Sequence, residues 1–147
     1  MSRFDLTQDE VNHLLGIEKK LVRWDALTLP EKGQNQSEHV EAVYGNEKFL
    51  LDIYFARKDP RKYKYQLRMW NSTLLLRLDV EGKLHKNPTS ELLPRSHLHR
   101  YFQGARISVA EEVSVQVFPA ISDPIQTLED FMRFCNIESP PIQRGLN

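Results

Sequence analysis

Between residues 39 and 82 apolar side chains recur at every second position, and a period of two commits this part of the chain to β-strands. Four runs carry the alternation: "HVEAVYG", "KFLLDIYFA", "KYKYQLRMW" and "TLLLRLDVEG". Turn-prone breaks separate them at Gly45-Asn46, Lys58-Asp59-Pro60-Arg61 and Asn71-Ser72. Strands joined by such short connections pair with their neighbours in sequence, giving an antiparallel meander. After a longer excursion, "SHLHRYF" and "VSVQVFP" predict two further strands.

The two ends of the chain read as helix. In "TQDEVNHLLGIEKKLVRW", residues 7–24, Thr7 and Glu10 fit a capping box. Val11, Leu14, Leu15, Leu21 and Val22 follow a helical spacing, interrupted by Glu18 and weakened at Gly16 by about 1 kcal/mol relative to alanine. "LPEKGQNQSE" reads as a loop. Near the other end, "DPIQTLEDFMRFCNI" starts with Asp123 as a cap and Pro124 in the first helical position, where a missing N–H costs nothing. The closing "ESPPIQRGLN" reads as an extended tail. The expected architecture is α+β, one domain over residues 1–147: a single antiparallel β-meander sheet flanked by an N-terminal and a C-terminal helix.

Composition narrows the function classes. Twenty basic and 20 acidic residues leave a formal net charge of zero, so attraction to nucleic acid must come from local clustering. A neutral chain also suits tight association with a partner, a second copy included. The one cysteine, Cys135, lies in the C-terminal helical run and reads as a packed, inert thiol. No apolar run approaches the ~20 residues of a membrane span, and the N-terminus lacks a signal-peptide core, so no membrane and a cytoplasmic location are expected. No P-loop, dinucleotide-binding glycines, nucleophile elbow or Cys-x-x-Cys pair occurs, and no cofactor is expected.

The clustering is in "RKDPRKYKYQLRMW", residues 57–70, with six basic residues and one acid. On a strand, Tyr63, Tyr65, Leu67 and Met69 face one way and Lys62, Lys64, Gln66, Arg68 and Trp70 the other. A strip of three cations beside aromatics suits phosphate contacts and base stacking. It suits better still a half-exposed strand that uses lysine to discourage edge pairing, with balancing acids nearby in space.

Three of the five histidines, His85, His97 and His99, fall in the next stretch. Arg77 and Asp79 share one strand face, as do Arg95, His97, His99 and Tyr101. If the two strands pair, Arg77, Asp79, His97, His99 and Tyr101 form one patch, with His85 in the connecting loop. Three readings stay open. His-x-His on a strand aims two imidazoles alike, as a metal site would. Two histidines also suit acid/base work on a phosphodiester: one takes the 2′-hydroxyl proton, one protonates the leaving oxygen, and Arg77 or Arg95 holds the phosphate. The third reading is structural or recognition use. His13, within the first helix, and His39, opening a strand, read as solvated or hydrogen-bonded.

Arg77-Leu78-Asp79, Gly82, His85, Asn87-Pro88, His97-Leu98-His99 and Tyr101 resemble the core of a poorly characterised family of small prokaryotic proteins, with the pattern R-L-D-x-x-G-x-x-H-x-N-P-D-G and then P-H-L-H-x-Y. The likeness extends to "KFLLDI", "KYKYQLR", "QTLEDFMRFCNIESPPI" and the opening "LTQDEVNHLL". It departs at Thr89-Ser90, at Ser96, and in "FQGARISVAEEV" after Tyr101. A looser similarity connects the Arg-x-Asp…Gly…His…His arrangement to small TumE-type toxins of toxin–antitoxin pairs. These likenesses imply a prokaryotic or phage accessory protein of the toxin–antitoxin or defence type. Joined to the acid/base reading of the residues, they point to a protein that contacts RNA, with metal-independent cleavage as its enzyme version: His97, His99, Asp79 and Arg77 at the catalytic centre, Lys62, Lys64, Arg68, Arg95 and Tyr101 on the nucleic acid. The rival is a non-enzymatic protein-binding module, an antitoxin or counter-defence inhibitor, depending on surface residues such as Trp70 and Phe102.

Overall fold

The computed structural model describes residues 6–23, 25–59, 61–70, 73–81, 84–86, 92–94, 96–103 and 109–144. Helix α1 (Gln8–Gly16) starts at the expected capping box: Thr7 accepts from the Glu10 N–H, and Glu10 accepts from the Thr7 N–H. It ends about two turns earlier than its spacing suggested. Gly16 closes it, and Ile17 is already extended at φ −70°, ψ 151°. The chain then enters strand β1 (Lys19–Leu21), which pairs with residues 40–42. The "helical" spacing of Leu21 and Val22 is resolved as strand alternation, with Leu21 buried and Val22 53% exposed. Pairing with a formed sheet has overridden a run weakened by its glycine.

After the two-residue β2 (Leu27–Thr28) come β3 (Asn35–Ala42), β4 (Lys48–Phe55), β5 (Tyr63–Met69) and β6 (Leu74–Val80). β7 (Leu84–Lys86) and β8 (Leu92–Pro94) pair with each other in a small sheet of their own, so His85 lies on a strand opposite Leu93. β9 (His97–Arg100) returns to pair with β6, and β10 (Val109–Glu112) pairs with β9. Helix α2 (Pro124–Phe134) follows, then β11 (Ile137–Glu138) and β12 (Ile142–Gln143).

The main sheet has eight strands in the order β10-β9-β6-β5-β4-β3-β1-β11. Its centre is the expected antiparallel meander, but β1 and β11 pair in parallel, so the sheet is mixed. The closing segment is therefore no plain tail: β11 edges the main sheet and β12 pairs with β2. Residues 113–119 are not a strand. Ser114 O accepts from the Val117 and Phe118 N–H groups at 3.2 and 2.8 Å, a turn that buries Phe118 and leaves Val115 exposed. The alternation of "VSVQVFP" yields to this turn and to the burial of Phe118, showing how far context overrides strand propensity.

One face of the sheet carries the core. Phe49, Leu51, Ile53, Tyr63, Tyr65, Leu67, Leu76 and Leu78 are fully buried there, in one cluster with Val11 and Leu14 of α1 and Leu128, Phe131 and Met132 of α2. The two core tyrosines donate to backbone: Tyr63 Oη to Ile121 O at 2.6 Å and Tyr65 Oη to Pro124 O at 2.7 Å. Asp123 caps α2 through the Ile125 and Gln126 N–H groups. Lys19, 1% exposed, ties the two helix ends together by donating to Leu15 O, Ile17 O and Cys135 O at 2.9, 3.0 and 2.7 Å. All three ammonium donors meet carbonyls that a helix terminus leaves unpaired. Cys135 is fully buried and its thiol is pushed up to about 12 by that burial. No helix among the described residues is long and apolar enough to cross a membrane.

Candidate functional site

The other face of the sheet is open, with Ser37, His39, Lys64 and His97 exposed on it. Antiparallel register sorts its outward residues into rows across the strands. One row runs Asn35, Tyr54, Lys64, Asp79, His97, Glu112. The next runs Ser37, Asp52, Gln66, Arg77, His99, Ala110. A third holds His39, Leu50, Arg68 and Leu74, with the exposed Trp70 ring 5.1 Å from that of His39. The register slips between Leu67 and Arg68, and that irregularity buries both Leu75 and Leu76 while Leu74 falls opposite Arg68.

The pairing of β6 with β9 brings four of the expected residues together. His99 Nε2 lies 3.0 Å from Asp79 Oδ2, and Arg77 Nε lies 3.1 Å from the other oxygen, Oδ1. The Arg77 contact is an ion pair without hydrogen-bond alignment, because both Nε and Oδ1 are buried with no hydrogen-bond partner. His97 completes the group, its ring 6.4 Å from that of His99. Side-chain exposures of 32% for Arg77, 17% for Asp79 and 18% for His99 make this a half-sheltered site beside an exposed imidazole. Burial, then the Arg77 charge, lowers the His99 pKa; the opposing pull of Asp79 does not cancel them. His99 is thus held neutral, and with Nε2–H on Asp79 its Nδ1 is the basic nitrogen.

The other expected residues divide. Lys64 stands directly across from Asp79, with Nζ 5.9 Å from the Tyr54 ring centroid. Lys62 is exposed at the entry to β5. Arg68 is not a lone phosphate-binding cation: its Nε lies 2.6 Å from Asp52 Oδ2. Tyr101 is removed from the patch. It packs on the core cluster, and its hydroxyl accepts from Leu6 N–H at 3.0 Å and donates to Leu6 O at 2.8 Å. The strand ends at Arg100, so alternation no longer governs position 101. Arg95 lies outside the described residues. Among the described residues, no group of three or more His, Cys, Asp or Glu side chains is placed to hold a metal ion.

Asp52 is the residue that sequence reasoning passed over. It accepts from Arg68, from Gln66 Nε2 at 2.6 Å and from Ser37 Oγ at 2.6 Å. Burial opposes ionisation, but these hydrogen bonds outweigh it and hold the carboxyl below its ordinary pKa. A single outward acid in "KFLLDIYF", directly across the hairpin from a basic strand, was the available signal. Asn35 and Ser37 were missed because their segment read as loop.

Fold and site together define an α+β protein with a helix-backed core on one side of a mostly antiparallel sheet and an open face of polar rows on the other. Residues 6–137 match a family of unknown function, DUF6978, and the chain belongs to that family. No curated protein matches it, and no solved structure does.

Proposed function

We propose that the open face binds single-stranded RNA and that the Arg77, Asp79, His97 and His99 group cleaves it by metal-independent acid/base chemistry. The observation that carries this reading is the Asp79–His99 pair at 3.0 Å beside a second imidazole, on an accessible face. His99 Nδ1 takes the proton of a ribose 2′-hydroxyl, whose oxygen attacks the adjacent phosphorus. The 5′-oxygen leaves with a proton from His97, giving a 2′,3′-cyclic phosphate and a free 5′-hydroxyl. Asp79 orients His99 and stabilises the imidazolium as it forms. Arg77 offers charge to a non-bridging phosphate oxygen. Such a protein fits the cytoplasmic toxin or defence-accessory setting that the motif likeness implies.

One observation favours a second reading. Asp52 neutralises Arg68, and acids and cations alternate along the rows, so the face lacks the surplus charge typical of nucleic-acid binders. A polar protein surface would then be the partner, with Trp70 as its anchor. Incubating the purified protein with end-labelled RNA, with and without chelator, separates the two. The nuclease reading expects cleavage that survives chelator and falls by about 10²–10⁴-fold in His97→Ala or His99→Ala. Cleavage abolished by chelator assigns a metal, and no cleavage in either condition rejects the nuclease.

A further inference from the structure

Beside the histidine group, the open face carries a depression of about 310 Å³ lined by Asn35, Asp52, Tyr54, Lys64 and Gln66. That volume is at the lower end of pockets that hold small ligands, about 300–1,000 Å³. Three of its features suit one ligand class. Tyr54 contributes an aromatic ring between two polar strands, with the Lys64 ammonium 5.9 Å from its centroid. Gln66 is anchored: its Nε2 donates to Asp52 Oδ2 at 2.6 Å, which leaves the carbonyl Oε1 of this lining residue as a hydrogen-bond acceptor. Asp52 is itself neutralised by Arg68, so the carboxylate in the wall does not repel an anionic strand.

Position completes the argument. Lys64 is directly across from Asp79, so the depression and the histidine group share a row. From β4 to β9 is three strand steps, about 14 Å at the usual inter-strand spacing. A short single strand therefore reaches both.

We propose that this depression is a base-accepting subsite for single-stranded RNA, in which a base stacks on Tyr54 and presents an amino group to Gln66 Oε1. The proposal rests on the RNA reading above and sharpens it to a substrate preference. Lys64 moves from the ring to the backbone phosphate of the same nucleotide. An acceptor aimed at the base edge favours adenine and cytosine, which carry exocyclic amino donors, over uracil, which presents carbonyls at those positions.

The test is fluorescence anisotropy with 2′-O-methyl decamers of A, C and U, which bind without a reactive 2′-hydroxyl. Circular dichroism and melting of each variant check its fold. Wild type is expected to bind the A and C decamers several-fold more tightly than U. Tyr54→Leu should weaken A binding roughly tenfold, from the loss of one stacked base, while Tyr54→Phe retains it. Gln66→Leu should erase the preference with little change for U. If wild type binds RNA but Tyr54→Leu and Gln66→Leu bind all three decamers as it does, the subsite is overturned and the RNA reading stands. If folded wild type binds none of the decamers and does not cleave RNA, the RNA reading falls, and the subsite with it.

Discussion

Replacing Asp52 with alanine removes the carboxylate that organises the open face, and the structure sets the size of the effect. Asp52 accepts from Arg68 Nε and Gln66 Nε2 at 2.6 Å and from Ser37 Oγ at 2.6 Å. A hydrogen bond to a charged group contributes about 1.5–3 kcal/mol, and neutral ones about 1 kcal/mol. The ion pair is 24% and 18% exposed at its two side chains, so solvent keeps it at the low end of that range. The expected loss is about 2 kcal/mol, a fall in Tm of about 6 °C for a chain of this size. Urea denaturation of wild type, Asp52→Ala, Arg68→Met and the double variant isolates the pair, with an expected coupling of about 1 kcal/mol. The acid limb of the stability curve gives a second readout. Because the folded pKa of Asp52 is lowered, its contribution is present above the ordinary carboxylate range and lost as pH falls through the folded value. Asp52→Ala should flatten that part of the curve. A variant as stable as wild type, with no coupling to Arg68, would refute the reasoning. On the RNA reading, Asp52→Ala should also give binding a steeper salt dependence, since a cation has lost its counter-charge.

His99 should titrate below the ordinary histidine value in an NMR pH series, lower still in Asp79→Asn and higher in Arg77→Met. Because its folded pKa is lowered, the unfolded chain binds more protons in the window just below 6.5, and the His99 contribution to stability is lost as pH falls through it. Tyr65→Phe should cost about 1 kcal/mol by removing one buried hydrogen bond, to Pro124 O, read from the urea midpoint. Cys135 should resist iodoacetamide in the native protein and react fully in urea, since burial shields the thiol and pushes its pKa to about 12.

The parts legible in the sequence are those where one local rule sufficed. Alternation placed Tyr63, Tyr65 and Leu67 inward and Lys64, Gln66 and Arg68 outward, as β5 has them. Antiparallel pairing then put Arg77 opposite His99 and Asp79 opposite His97. The Asp123-Pro124 start of α2 was equally readable. What escaped depends on contacts distant in sequence. The end of α1 is decided by β1 pairing with β3 and by Lys19 reaching Cys135 O, 116 residues away. Tyr101 leaves its face because Leu6 offers both a donor and an acceptor. The Asp52–Arg68 pair spans a hairpin, so a strand that reads as cationic is partly neutralised once folded.

The central claim is that Asp79, His97 and His99 run acid/base chemistry through a ribose 2′-hydroxyl. Its most direct measurement uses two oligonucleotides of identical sequence, one RNA and one 2′-O-methyl, incubated with the protein in chelator, followed by mass analysis of the products. The account predicts that only the RNA is cut, leaving 2′,3′-cyclic phosphate and 5′-hydroxyl ends, and that His97→Ala and His99→Ala each slow the cut by about 10²–10⁴-fold. Cleavage of the 2′-O-methyl strand, products with 5′-phosphate ends, or an intact RNA strand would contradict it.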